Sequence, residues 1–317
     1  MSVPAQAVAF DCEGARLAGV LHPGAPGAST GVLVVVGGPQ YRVGSHRQFV
    51  LLGRALAARG VPALRFDYRG LGDSQGEFRG FEGIDADVHA ALDEFFRRSP
   101  GLRRVVIWGL CDAASAALFY AAGDARVAGL VLLNPWVRSQ QTIARAYLRS
   151  YYLRRIFDPR AWRELLFGGK SLRAVVASFA RLVGDARGGE APAAAGRTTT
   201  GQTTTAQATG DSALPGNSVL VQRMQRGLAA FKGPVLLVLS GDDITAAEFR
   251  TATTSTAWRR LLEDRRVTSC PLDVADHTFS SRAWRDQVAA WTGDWVLGNW
   301  PARDTAGARD AAARETS

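Results

Sequence analysis

What most constrains this chain is a repeating order of short apolar runs and amphipathic segments. Residues 31–36, Gly-Val-Leu-Val-Val-Val, make a continuous β-branched run of the kind a strand buried on both faces requires. Gly37-Gly38-Pro39 ends it. Residues 46–59 then place Phe49, Leu52, Ala55 and Leu56 on one helical face, with Gly60 as the stop. The order repeats as strand 62–67, a glycine-rich loop, helix 84–97, strand 104–108, helix 112–122 and strand 127–133. It resumes late in the chain with strand 235–239, helix 246–262, strand 267–272 and helix 281–297. Ahead of all this, alternating segments at 7–11 and 16–22, split by Glu13-Gly14, read as a β-hairpin. Such alternation predicts an α/β fold: a mostly parallel central sheet with helices on both faces.

The alternation is interrupted once. Residues 136–187 are helical in pattern and rich in arginine and aromatics. Residues 188–218 are dominated by Ala, Thr and Gly, and lack the apolar surface needed to order themselves. The expected organisation is one core from residues 1–135 and 233–300. A basic helical cap at 136–187, a low-complexity flexible loop at 188–218, a return helix at 219–232 and a disordered tail at 301–317 complete it.

Charge follows the same division. The 317 residues carry a formal net charge of +9, yet 137–187 alone hold ten arginines and Lys170 against Asp158, Glu164 and Asp185, a net +8. A solvated helix face would account for this. So would a lid that recruits an anionic substrate, or touches an anionic membrane surface. No zinc-ligand spacing, helix-turn-helix pattern or RNA-binding aromatic signature accompanies the arginines, so a nucleic-acid partner is not expected. No phosphate-cradling glycine motif and no metal-ligand spacing is present, so neither cofactor nor metal is expected. The longest aliphatic run, residues 32–36, is far below the roughly 18–20 residues of a membrane span. No leader-like start is seen, and Cys12, Cys111 and Cys270 are too few and scattered for a disulfide framework. A cytoplasmic location is therefore expected.

The sharpest chemical signal is Trp108-Gly109-Leu110-Cys111-Asp112-Ala113-Ala114, which leaves a buried strand and opens a helix. A nucleophile elbow has this strand–turn–helix setting and needs small residues two before and two after the nucleophile, because the turn brings them together. Gly109 and Ala113 meet that need, and Cys111 is the candidate nucleophile. A helix N-terminus favours a thiolate there. Ser115 sits one turn into the helix, and Cys12 and Cys270 lie in strand-like segments.

Such a site uses the chain order nucleophile, acid, histidine. His22, His46 and His89 precede Cys111, so His277 is the candidate base. Ser240-Gly241-Asp242-Asp243, just past strand 235–239, offers the acid. Asp243 is favoured, with Asp242 as the possible alternative, because Asp242 follows the turn glycine and suits a helix cap. Asp273 and Asp276 lie too close to His277 in the chain. Oxyanion donors are expected from the backbone N–H of Asp112 and from Gly38, with Gln40 as fallback, since Pro39 has no N–H. The acidic side chain of Asp112 suits a helix start but would oppose a thiolate if it faced the site. Its direction stays open at this point. The run Asp67-Tyr68-Arg69-Gly70-Leu71-Gly72-Asp73-Ser74-Gln75-Gly76 reads as a compact loop that braces the site.

Taken together, D-Y-R-G-L-G-D-S-Q-G, the elbow, G-D-D and D-H-T-F resemble the α/β-hydrolase superfamily over roughly residues 5–135 and 233–298. The combination G-G-P-Q-Y-R-V-G-S-H-R-Q-F, G-L-C-D-A-A-S-A and L-N-P-W-V-R is narrower. It is similar to the exosortase A system-associated hydrolases of type 1, from Gram-negative bacteria that make exopolysaccharide. The resemblance implies an α/β-hydrolase fold with a helical cap insertion and a cytoplasmic enzyme with a cysteine nucleophile, linked to surface polysaccharide and protein sorting. It supplies no substrate.

Three functions remain open on these residues. Cys111 attacks an ester or thioester and water resolves the thioacyl-enzyme; or a sugar or other alcohol takes the acyl group; or the fold is a non-catalytic scaffold. The set Cys111, Asp243, His277 and Gly38 favours catalysis.

Overall fold

The computed structural model describes residues 4–38, 40–137 and 219–301. The expected cap, the low-complexity loop and the tail beyond residue 301 lie outside the described residues. Eight strands form one sheet: β1 (Gln6–Cys12), β2 (Ala15–His22), β3 (Thr30–Val35), β4 (Ala63–Phe66), β5 (Arg104–Leu110), β6 (Val127–Leu133), β7 (Val235–Asp242) and β8 (Val267–Asp276). Their order across the sheet is β1-β2-β4-β3-β5-β6-β7-β8. β1 and β2 pair antiparallel, as do β2 and β4, and every later pairing is parallel.

Burial follows from those positions. Every residue of β3 and β4 is buried, as a central strand covered on both faces demands, whereas β1 alternates exposed and buried side chains. From β3 the chain crosses through α1 (Gln48–Ala58) to β4, then reverses through α2 (Asp85–Arg98) to β5. Right-handed crossovers in opposite directions put α1 and α2 on opposite faces. α3 (Asp112–Tyr120) follows β5, and α4 (Val219–Ala230) packs against it, burying Leu220, Val221, Met224 and Leu228. α7 (Arg282–Asn299) returns to pack on α1.

The reversal of direction leaves the C-terminal ends of β3 and β5 side by side, with Val35 opposite Gly109. In open α/β sheets this switch point is where ligands bind. Gly38 and Cys111 are the residues it brings together.

Most expected elements lie within a few residues of their observed bounds, and two differ. The single helix expected at 246–262 is two helices, α5 (Ile244–Ala252) and α6 (Thr256–Leu262). Thr253 turns its hydroxyl back on the Phe249 carbonyl (2.8 Å), and Ser255 starts α6 by accepting the Trp258 amide (3.3 Å). Hydroxyl side chains here offer the backbone an alternative to continuing the helix. Strand β8 also runs four residues beyond its expected end, to Asp276, which carries the chain directly to His277.

Candidate active site

Cys111 sits between the last residue of β5 and the first of α3 with φ 63 and ψ −126, a left-handed conformation uncommon for a residue with a side chain. The surrounding structure holds it there. The Cys111 amide donates to the Leu133 carbonyl (2.9 Å), and the Trp136 amide donates to the Cys111 carbonyl (3.2 Å), tying the elbow to the end of β6. A Cβ on Gly109 would stand 2.6 Å from the carbonyl carbon of Ala113. Ala113 itself is fully buried. The turn therefore closes only with a glycine on the strand side and a small residue on the helix side. Gly37 has the same role from the β3 end: a Cβ there would lie 2.1 Å from the Leu110 carbonyl oxygen.

His277 leaves β8 in a turn shaped by Asp276, whose carboxylate accepts the amides of Thr278 (3.1 Å) and Ser280 (3.0 Å). Nδ1 of His277 lies 2.9 Å from Oδ2 of Asp243, and the Cys111 sulfur acts on the same ring. The fold thus brings Cys111, His277 and Asp243 together. Burial alone would depress the imidazole. The hydrogen bonds and negative charges of Asp243 and Cys111 outweigh it and push His277 up to about 10. The other two thiols are held toward their neutral form, Cys12 by burial and then Asp87, and Cys270 by burial.

Asp243, not Asp242, is the helix cap. Its two carboxylate oxygens accept the amides of Thr245 and Ala246, each at 3.1 Å, at the start of α5. The expected division of labour between the two aspartates is thereby corrected. Asp243 meets both the two amides and the imidazole with its carboxylate oxygens, and Asp242 ends β7 exposed to solvent.

Of the expected oxyanion donors, Gly38 is taken: its amide donates to Oδ1 of Asp112 at 2.6 Å. The Asp112 side chain therefore faces the site, which answers the question its position raises in the sequence. Burial raises its carboxyl above the usual aspartate range, while the amides of Gly38, Ala113 and Asp112 itself, and then the charge of His277, act in the opposite direction.

Two supporting features are not readable as motifs. Buried Asn134 donates through Nδ2 to Ser240 Oγ (2.9 Å) and to the His277 carbonyl (3.2 Å), and its Oδ1 accepts the Ser240 amide (2.8 Å). It ties β6, β7 and the histidine turn together; the sequence shows it only within the L-N-P-W-V-R run just past a strand, with no role attached. Glu248 on α5 is buried, with Oε1 unpartnered among the described residues. Burial and then Asp243 push it up to about 7.

The remaining sequence candidates have structural surroundings. Ser115 is fully buried and donates to the Trp136 carbonyl (2.7 Å). His22 is buried with Nε2 against Arg65 Nε (2.9 Å), and burial followed by that guanidinium drives it down to about 4. His89 lies on the surface beside Tyr120 and Arg126. In the 67–76 loop, the Asp67 carboxylate takes the Arg42 amide (2.5 Å) and an ion pair with the Arg42 guanidinium. Arg69 grips Asp87 through Nε (2.9 Å) and a second nitrogen (2.8 Å). That loop carries Tyr68, whose hydroxyl is buried without a partner among the described residues. No cluster of metal-ligating side chains occurs among the described residues.

The family described as serine aminopeptidase, S33, matches over residues 28–171. An esterase from Pyrococcus furiosus superposes with a TM-score of 0.59 at 15% identity, over 94% of this chain and 91% of that one. The chain has an α/β-hydrolase fold. A Coxiella burnetii α/β serine hydrolase homologue (TM-score 0.52, 13% identity, 90% and 96% of the two chains) is built alike. So is Est1E from Butyrivibrio proteoclasticus, solved with ferulic acid bound (TM-score 0.54, 16% identity, 92% and 98%). No curated protein matches the sequence. In this α/β-hydrolase fold the elbow residue is Cys111, where the matched family's description names a serine enzyme. Among the described residues no helix is long and apolar enough to cross a membrane.

Proposed function

We propose that the protein is an ester- or thioester-cleaving enzyme working through a thioacyl-enzyme on Cys111, with His277 as acid–base and Asp243 as its orienting acid. One observation carries this reading: His277 Nδ1 stands 2.9 Å from Asp243 Oδ2 and the Cys111 sulfur acts on the same imidazole, at the switch point of the sheet. The fold it shares with an esterase and a serine hydrolase homologue adds support.

In the first half-reaction the Cys111 sulfur bonds to the acyl carbon and the carbonyl π pair moves onto oxygen. The tetrahedral oxyanion takes the amides of Gly38 and Asp112. Its collapse restores C=O and breaks the bond to the leaving alcohol or thiol, which receives a proton from His277 Nε2. In the second, His277 takes a proton from water, whose oxygen attacks the thioester, and Cys111 leaves as thiolate. Asp243 holds the imidazole in place through both. A sugar or other alcohol in the place of that water would make the enzyme an acyltransferase.

The motif resemblance to type 1 exosortase A system-associated hydrolases supports a cytoplasmic role linked to exopolysaccharide. The basic segment 137–187, with net charge +8, suits an anionic substrate or contact with an anionic membrane surface.

The test is intact-mass trapping across acyl esters, acyl thioesters and acylated sugars, with Cys111→Ala as control. An acyl adduct that maps to Cys111 and disappears in the variant is the expected result. Turnover that survives Cys111→Ala would sink the nucleophile assignment. Adding candidate alcohols separates the two fates of the adduct: acylated acceptor forming faster than free acid identifies a transferase.

A further inference from the structure

The oxyanion site of this protein already holds an anion, and that anion belongs to the chain. Oδ1 of Asp112 accepts the Gly38 amide at 2.6 Å. Gly38 and Asp112 are the two donors that acyl transfer at Cys111 would use. A substrate oxyanion needs to come within about 2.7–3.1 Å of the same N–H groups. One N–H cannot serve two anions at that range, and two negative oxygens cannot share the pocket.

The fit is built rather than incidental. Gly37 has no room for a side chain: a Cβ would lie 2.7 Å from Asp112 Oδ1 as well as against Leu110. The glycine lets the β3 loop close over the carboxylate. The Asp112 charge acts on Tyr68, whose buried hydroxyl has no partner among the described residues, and His277 supplies the cation that acts on Asp112. The net effect of these neighbours is a raised carboxyl, with burial the larger influence. The pocket thus holds the charge by hydrogen bonds against a desolvation cost, a balance that a side-chain rotation can tip.

We propose that Asp112 is a specificity-determining gate of the acyl-transfer site: its carboxylate occupies the oxyanion position, and Cys111 is acylated only from the conformer in which that carboxylate has swung out. The gate rests on the proposed role of Cys111 as an acyl-accepting nucleophile. It discriminates against simple acyl groups, whose carbonyl oxygen alone must displace an ionised side chain. Substrates whose remaining contacts hold the side chain outward are favoured. Apparent reactivity scales with the open fraction, so a gate closed nine parts in ten lowers it roughly tenfold.

The experiment compares wild type, Asp112→Ala and Asp112→Asn on p-nitrophenyl acetate, following the Cys111 adduct by intact mass. Asp112→Ala is expected to acylate about tenfold faster than wild type, and Asp112→Asn, which keeps an uncharged acceptor on Gly38, to fall between. Alkylation of Cys111 by iodoacetamide checks that each variant presents a folded site. Acylation of Asp112→Ala no faster than wild type, with alkylation intact, overturns the gate.

A second measurement needs no turnover. Emptied of its own carboxylate, the Asp112→Ala pocket should take acetate, which then protects Cys111 from iodoacetamide saturably, while wild type is unprotected. Equal protection of both proteins, or of neither, overturns the gate. If no ester or thioester acylates any of the three proteins, the acyl-transfer reading fails, and acetate protection still decides whether Asp112 fills the pocket.

Discussion

Asp243 meets His277 with the same carboxylate that starts helix α5: Oδ2 lies 2.9 Å from Nδ1 of the imidazole while the amides of Thr245 and Ala246 each approach within 3.1 Å. The geometry of the β7–α5 turn gives one carboxylate the helix cap and, in the proposed mechanism, the imidazole as well, and two substitutions can pull the two apart. Asparagine is a good N-cap, so Asp243→Asn should keep the start of α5 and lose at pH 7 only the stability that the charge pair with His277 contributes. It should nonetheless slow acylation of Cys111 by a factor on the order of 10²–10⁴, since a neutral amide cannot stabilise the imidazolium. Asp243→Ala should lose both, with a further cost of about 1 kcal/mol in urea unfolding. Equal stability losses in the two variants would contradict the double role.

His277 offers a pH test with a defined sign. Its folded value is raised from the ordinary histidine range to about 10, so the folded state binds the proton more tightly than the unfolded chain does. Its stabilising contribution is complete below about 6.5 and is lost as pH rises through about 10. Urea unfolding of His277→Gln against wild type should show a deficit at pH 7 that narrows by pH 10.5. A deficit independent of pH would mean that the imidazole is not held as a cation by Asp243 and Cys111.

Glu248 titrates in the opposite sense to a paired carboxylate. Burial and the neighbouring Asp243 raise it from 4.5 to about 7. A raised acid contributes stability that is present below its unfolded value, near 4.5, and lost as pH climbs through about 7. Glu248→Gln should therefore match wild type at pH 5 and exceed it at pH 8, by roughly 2 kcal/mol. Urea midpoints at the two pH values are the measurement. A variant no more stable than wild type at pH 8 would refute the assignment.

Asn134 is a positioning residue whose effect should reach the chemistry through His277. It adopts φ 44, a conformation asparagine tolerates, and its amide bridges Ser240 and the His277 carbonyl. Asn134→Gly keeps the backbone freedom and removes the bridge. It should cost about 1–3 kcal/mol, because the Ser240 amide is left unsatisfied in the core. It should also lower the rate of Cys111 acylation while leaving iodoacetamide access unchanged. A stability loss with unaltered acylation would reduce Asn134 to a structural brace.

Much of the site was legible because its causes are local. The elbow could be read from Gly109, Cys111 and Ala113, since the steric demand of a tight strand–helix turn falls within five residues. The order Cys111, Asp243, His277 could be read because each candidate follows a strand-like segment, two of them apolar runs flanked by glycines. The split between α5 and α6 was missed. A period of 3.6 runs through both, and only the hydroxyl hydrogen bonds of Thr253 and Ser255 interrupt it.

By itself, then, the sequence determined the sheet, its parallel sense and the strand–turn–helix elbow at Cys111, because strand burial and turn sterics act over short stretches of chain. Tertiary structure alone decided which way Asp112 points, that Asp243 both caps α5 and meets His277, and that Asn134 bonds the histidine turn. Each of those depends on a hydrogen bond between segments 74, 34 and 143 residues apart, and a donor that distant leaves no period or spacing in the sequence.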